Sequence, residues 1–299
     1  MHVPPFHALE EEEAGPPISR MRANMSIYDL QAIDVHGHYG DYFREAFPTL
    51  TNAFMTGSAE TVAARAKRAQ TRLTFVSPLA ALFPRGRADA AAGNDEGVRV
   101  VQRHPALRLY AVVHPLQPET FRQARRMLGD RHCVGIKIHP EEHEYPVREH
   151  AGPIFELAAE TGAIILSHSG DERSMPADLL PFADEFPNVQ LILAHLGSGC
   201  DNRPDHQVRA IQKSRHGNVY VDTSSAQSIM PGLVEWAVRE IGYDRILYGT
   251  DTPLYHAPMQ RARIDHAEIS DEAKAAILCG NAERLFNLHS PLPEAVRVG

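Results

Sequence analysis

The stretch Asp34-Val-His-Gly-His38 carries two imidazoles one residue apart, at the end of the apolar run Ala32-Ile33. Along a strand, successive side chains alternate between faces. Asp34, His36 and His38 therefore share one side, and Ile33 and Val35 take the other. Two imidazoles side by side at a strand's end can grip one cation, and histidine is the commonest metal ligand. In a chain with 17 histidines such a pair also arises by chance, so ligation calls for partners downstream.

Other apolar runs supply them. Gly135-Ile-Lys-Ile-His-Pro140 places Lys137 and His139 on one face. Ile164-Ile-Leu-Ser-His-Ser-Gly170 ends at His168, Leu191-Ile-Leu-Ala-His-Leu-Gly197 at His195, and Ile246-Leu-Tyr-Gly-Thr-Asp251 at Asp251. A single histidine after an apolar strand is usually a satisfied polar group at a strand edge. Four strands ending in His or Asp, in register with a His-X-His strand, point to a shared site. His139 has a second reading, as the cap of the loop that follows through Pro140.

These residues must be positioned by a repeated unit. Strands are expected at Ala32 to His36, Leu73 to Val76, Leu107 to Val113, Cys133 to His139, Ala163 to Ser167, Val189 to Ala194, Val219 to Asp222 and Arg245 to Tyr248. Helices fill the intervals: one capped by Ser58, one capped by Asn94, then Glu119 to Leu128, Ile154 to Glu160, Pro176 to Glu185, Asp205 to Ser214, Pro231 to Ile241 and Asp271 to Leu278. Near-continuous apolar strands suit a parallel sheet buried on both faces, and alternation with helices indicates βαβ units. The fold class is α/β: a (β/α)8 TIM barrel, single domain, with an open doubly wound sheet as the alternative. No GxGxxG follows any strand, which weakens the dinucleotide-binding form of that alternative. In such barrels the active site lies at the C-terminal ends of the strands, where the unusual residues fall. Tyr39 to Gly57 is a long connection rich in aromatics, of the kind that often forms a lid or binding loop.

The 299 residues fit one barrel of about 250 residues plus an appendage. Residues 1–25, with Pro4-Pro5, Glu10 to Glu13 and Pro16-Pro17, show no apolar period and read as a poorly ordered or subunit-draping N-terminal extension. Residues 26–299 form the catalytic domain. A net charge of −8 disfavours nucleic acid and anionic membranes as partners, because both need a basic face. Three scattered cysteines without a CxxC pair suit free thiols in a reducing compartment. With neither a signal-peptide pattern nor an apolar span, the chain reads as cytoplasmic. A homo-oligomer is compatible with all of this.

The motifs together resemble the amidohydrolase superfamily, within it the amidohydrolase-related branch that includes the aminocarboxymuconate-semialdehyde decarboxylases. The match rests on Asp34-Val-His-Gly-His38, Gly135-Ile-Lys-Ile-His-Pro140, Leu166-Ser-His-Ser-Gly170, Leu193-Ala-His-Leu-Gly197, Tyr248-Gly-Thr-Asp-Thr-Pro253 and Gly280-Asn-Ala-Glu-Arg-Leu-Phe286, spanning Ile27 to Leu288. The resemblance implies that His36, His38, His168 and Asp251 hold a metal and that Asp251 also moves a proton. His195 then acts on substrate or water. Lys137 matches a position that is a carboxylated, metal-bridging lysine in binuclear relatives; here the ammonium form with one metal ranks first.

Three histidines and a carboxylate suit Zn²⁺, which keeps an open position in catalytic sites; Mn²⁺ is compatible too. Metal-activated water would then hydrolyse an amide, lactone or ester of a small carboxylated molecule, with Lys137, His139 and Arg44 as substrate-binding candidates. Two rival readings use the same residues. One is a metal-dependent nonoxidative decarboxylase, with Arg44 anchoring a carboxylate. The other is a barrel that has lost catalysis and serves as a scaffold, which the complete ligand set argues against.

Overall fold

The computed structural model describes residues 26–288, so the extension expected over residues 1–25 lies outside the described residues, as do residues 289–299. Its strands are β1 (Ala32–Tyr39), β2 (Thr71–Pro78), β3 (Leu107–Val112), β4 (Cys133–Ile138), β5 (Ile165–Ser167), β6 (Leu191–Leu193), β7 (Val219–Asp222) and β8 (Ile246–Leu247). Each pairs in parallel with the next, in the order β1 to β8. The ring closes between β8 and β1. The Val35 N–H donates to the Tyr248 carbonyl at 2.9 Å, Asp251 N–H to the His36 carbonyl at 2.7 Å, and His38 N–H to the Thr252 carbonyl at 2.6 Å. The fold is therefore the (β/α)8 barrel, and the open-sheet alternative is set aside.

Sequence explains why the strands sit where they do. β1 is buried along its whole length, on both faces. Gly37 sits tightly between β2 and the closing segment, where a Cβ would lie 2.8 Å from Thr74 Cγ2 and 3.2 Å from Thr252 Cγ2. At the N-terminal end of the barrel, Phe75, Tyr110 and Phe286 meet edge to face with centroids 4.8 to 6.4 Å apart. Asn281 Nδ2 donates to the carbonyls of Tyr243 (2.7 Å) and Ile246 (2.8 Å), which fastens the last helix to β8. No helix among the described residues is long and apolar enough to cross a membrane.

Three local expectations change. The helix expected to start at Asn94 starts earlier, at Ala90, because Asp89 is the cap: its Oδ1 accepts from Ala92 N–H at 2.9 Å. Asn94 lies inside the helix and is buried. It clamps the end of β3 from both sides, donating to the Val112 carbonyl and accepting from Val112 N–H, each at 2.8 Å. The final helix is broken by a π-turn at Ala276–Gly280, followed by Asn281–Leu285. The connection after β1 holds a helix, Thr49–Met55, and its ends are pinned where Gly40 and Gly57 exchange backbone hydrogen bonds of 2.8 and 3.1 Å.

A second clamp joins the loops at the C-terminal mouth. His143, after β4, bonds through Nε2 to the Ala81 carbonyl after β2 at 2.9 Å. Its ring stacks on His114, at the end of β3, with centroids 4.3 Å apart. Burial, then the His114 ring, pushes His143 down to about 3.

Two outcomes follow from these clamps. Asn94→Ala removes a buried two-point contact and strands the Val112 amide groups; urea denaturation should show a loss of about 2–4 kcal/mol, and a loss below half a kcal/mol would contradict the clamp. For His143, the unfolded chain binds a proton near pH 6.5 and the folded chain only near pH 3. Stability is thus lost as the pH falls through that window, and the fall in unfolding midpoint between pH 7 and pH 4.5 should be shallower in His143→Gln.

Candidate metal centre and active site

The site forms where the strands end. β1 delivers His36 and His38, and the turn after β8 delivers Asp251. Their donor atoms lie within 4.8 Å of one another, and all three residues are buried. His38 Nε2 is 3.0 Å from Asp251 Oδ1, and His36 Nε2 is 3.5 Å from the same oxygen.

The far nitrogens explain how the rings are aimed. His36 Nδ1 meets Asp222 Oδ2 at 2.9 Å, and His38 Nδ1 meets the Ser77 hydroxyl at 2.9 Å and the Ser77 carbonyl at 3.1 Å. A carboxylate and a carbonyl only accept, so each Nδ1 carries a proton. Each Nε2 then turns toward Asp251, which also only accepts. A proton or a cation has to sit between them. Burial works against the Asp251 charge, but the contact with His38 and the nearby His36, His195 and His38 rings together outweigh it and bring the carboxyl down to about 2. Imidazoles fixed through Nδ1 and aimed through Nε2 are the usual arrangement of histidine ligands. The donor set therefore fits a divalent cation.

Lys137 is the cationic side chain that stands closest in. It projects from β4, is wholly buried, and its Nζ is 2.9 Å from His36 Nε2. Burial lowers its amine to about 8, against the pull of Asp251 and Asp222. Burial, then Lys137, holds His36 well below the ordinary imidazole value.

His195 and His168 form the neighbouring layer. His195 joins His36 and Asp222 in a second group of donors within 4.8 Å. Burial, then His168, lowers His195 to about 4. His168 does not enter either donor group. Its Nδ1 is 3.0 Å from His195 Nε2, and its Nε2 is 2.7 Å from Asp171 Oδ2. His139 stacks on His168 with centroids 4.1 Å apart, and its Nδ1 accepts from Glu142 N–H at 3.4 Å. His139 thus both lines the pocket and caps its loop.

Backbone strain marks the same place. His195 has φ of +70° and Asp251 φ of +54°. Such left-handed backbone in residues other than glycine costs on the order of 1–3 kcal/mol and gathers at functional sites. Here it is held by Asp222 Oδ1 accepting from His195 N–H at 3.1 Å, and by the Asp251 N–H bond to His36.

Asp34 is structural. Its carboxylate accepts from the backbone N–H groups of His36 (3.1 Å) and Thr250 (3.0 Å) and from Thr250 Oγ1 (2.6 Å), which ties β1 to the turn bearing Asp251. Arg44 lines the mouth but is already engaged. It pairs with the buried Glu142, donates to Tyr42 Oη at 2.7 Å, and lies against Phe47 and Phe83. Arg85 shares the same Glu142 carboxylate at 2.9 Å.

The cavity over these residues measures about 330 Å³. Its lining joins His38, His139, His168, His195 and Asp251, with Arg44, Glu142 and Asp171, to an apolar cluster that includes Met55, Leu79, Leu82, Phe83 and Leu254. The residue least visible in the sequence is Ser224, whose hydroxyl meets both His36 and His195. Strand seven ends in Asp222-Thr-Ser-Ser without a histidine, so only the strand-end position of Asp222 pointed there.

The amidohydrolase family model matches residues 33–288. Gamma-resorcylate decarboxylase from Polaromonas sp. is 31% identical over 121 residues, a match spanning 36% of this chain and 36% of that protein. A 2,6-dihydroxybenzoate decarboxylase from Rhizobium has the same fold, with TM-score 0.68, 16% identity and coverage of 87% of this chain and 100% of that one. A dihydroxybenzoic acid decarboxylase from Polaromonas sp., solved with bound manganese and the inhibitor 2-nitroresorcinol, superposes with TM-score 0.66, 17% identity and coverage of 87% and 98%. These relatives correct the expectation of hydrolysis at an amide, lactone or ester, because each of them is a decarboxylase. The physical reason is that the metal-ligand pattern is common to both chemistries, so it carries no information about which bond breaks. With its motifs joined in one barrel and the family's model matched along nearly all the described residues, the chain belongs to the amidohydrolase family of enzymes.

Proposed function

We propose that this protein is a metal-dependent decarboxylase acting on a small aromatic acid with a hydroxyl beside the carboxylate. The observation that carries the reading is the mixed lining of the cavity: converging acceptors together with a cluster of apolar side chains, in a volume suited to a single ring. The decarboxylases that the chain resembles support it.

We assign His36, His38 and Asp251 as metal ligands, with His168, one ring away, as the fourth. Zn²⁺ was expected from the donor types; manganese, bound in the similar Polaromonas structure, is the first choice for reconstitution. A bound divalent ion supplies charge neutralisation for the substrate's oxygens. The apolar cluster packs the ring and excludes water, which strengthens the polar contacts. Asp251, ionised at neutral pH, takes the hydroxyl proton of the substrate and delivers it to the ring carbon that bears the carboxylate. The carbon–carboxylate bond then breaks, its electron pair restores the ring, and CO₂ leaves. His195 Nε2 faces the same space and orients the substrate. Lys137, as the ammonium, balances the buried acidic groups. Arg44, neutralised by Glu142, shapes the mouth together with the aromatics around it.

The test uses manganese-loaded protein and a panel of hydroxybenzoates. The expected products are CO₂ and the phenol, with activity abolished by a chelator and restored by the ion. Turnover that leaves the carboxylate in the product, or that ignores the chelator, contradicts the proposal. Asp251→Asn should lower kcat by about a hundredfold or more and also weaken metal binding; a variant retaining a tenth of the activity would rule out the proton transfer assigned to Asp251.

A further inference from the structure

Ser224 lies two residues past β7 and is fully buried. Its Oγ is 2.9 Å from His36 Nδ1 and 2.9 Å from His195 Nδ1, and it also contacts Asp222 Oδ1 closely. A hydroxyl has one hydrogen and two acceptor lone pairs. Asp222 cannot donate: its Oδ1 already accepts from the backbone N–H groups of Ser224 (2.9 Å) and His195 (3.1 Å), and its Oδ2 accepts from His36. The single hydroxyl hydrogen therefore goes to Asp222. Both lone pairs are left for the two imidazoles, and each ring has to present an N–H to Ser224.

We propose that Ser224 is a positioning residue that sets the Nδ1–H tautomer of His36 and His195 together, so that both rings turn an unprotonated Nε2 into the site, where that of His195 accepts from His168 Nδ1–H at 3.0 Å. One oxygen thereby couples a metal-holding ring to the ring that faces the substrate. The two rings are not equally dependent on it. His36 Nδ1 keeps Asp222 as a second acceptor at 2.9 Å, whereas His195 Nδ1 has only the Ser224 carbonyl, at 3.4 Å. Loss of the hydroxyl should release His195 and leave His36 in place. The assignment of roles to the two rings rests on the decarboxylase reading; the tautomer claim does not.

The direct test is ¹⁵N-histidine NMR on the full-length protein loaded with Zn²⁺ or Mg²⁺, which are diamagnetic. In the wild type, the long-range proton–nitrogen pattern of His195 should be that of a protonated Nδ1 and a bare Nε2. In Ser224→Ala, His195 should shift to a mixture of tautomers, while His36 keeps its pattern; Ser224→Thr, which retains the hydroxyl, should restore the wild-type spectrum. A His195 that is Nε2–H in the wild type, or that keeps the Nδ1–H form in Ser224→Ala, overturns the proposal, and the wild-type result is decisive even where a variant does not fold. With an aromatic acid as substrate, Ser224→Ala should lower kcat about tenfold with KM within twofold. Absence of decarboxylation in the wild type would count against the assigned reaction and leave the tautomer result standing.

Discussion

Everything at the mouth of this barrel depends on acceptors being brought face to face. His38 Nε2 and Asp251 Oδ1 stand 3.0 Å apart, with the proton of the ring committed to a carbonyl on the other side. Such a contact is repulsive unless positive charge fills it. His36 repeats the arrangement, its Nδ1 proton given to Asp222 and its Nε2 turned to the same Asp251 oxygen at 3.5 Å. A folded chain keeps buried acceptors in this geometry only where the surrounding structure leaves them no alternative. The alternative is removed by closure of the ring, which sets β1 beside the turn after β8 and brings a histidine pair from one end of the sequence against an aspartate 200-odd residues later.

Rigidity is concentrated in the layer beneath. Asp34 fastens β1 to Thr250, and Asp222 fastens β7 to His36 and to the backbone of His195. Neither acid needs to reach the cavity to matter. Their work is to hold His195 and Asp251 in left-handed backbone that each would otherwise leave. The apolar part of the lining is built differently, from side chains of the long connection after β1 and the loop after β2. Conserving a rigid ligand floor while building the rest of the lining from loops is how one barrel can serve different substrates. It also explains why Arg44, on that connection, is tied down by Glu142 and two aromatic rings and is not free in the cavity.

The sequence made the floor legible because each contributing residue ends an apolar strand, and strand ends of a barrel converge by construction. His36, His38, His139, His168, His195 and Asp251 all lie at that mouth, as their positions indicated. Three things stayed hidden. Asn94 looked like a helix cap, because a polar residue ahead of an apolar run reads alike whether it faces solvent or a strand amide. Ser224 carried no signal, since serine is common and its importance comes from two rings over 25 residues away in sequence. The reaction stays hidden too, because ligand types fix the charge of the site and not which bond of a bound molecule breaks.

The most direct measurement is anomalous diffraction at the manganese edge from crystals of the manganese-loaded protein. The account predicts one strong peak at the C-terminal mouth, within ligand distance of His36 Nε2, His38 Nε2 and an Asp251 oxygen. A peak elsewhere, or none at these three atoms while the protein is active, would contradict it.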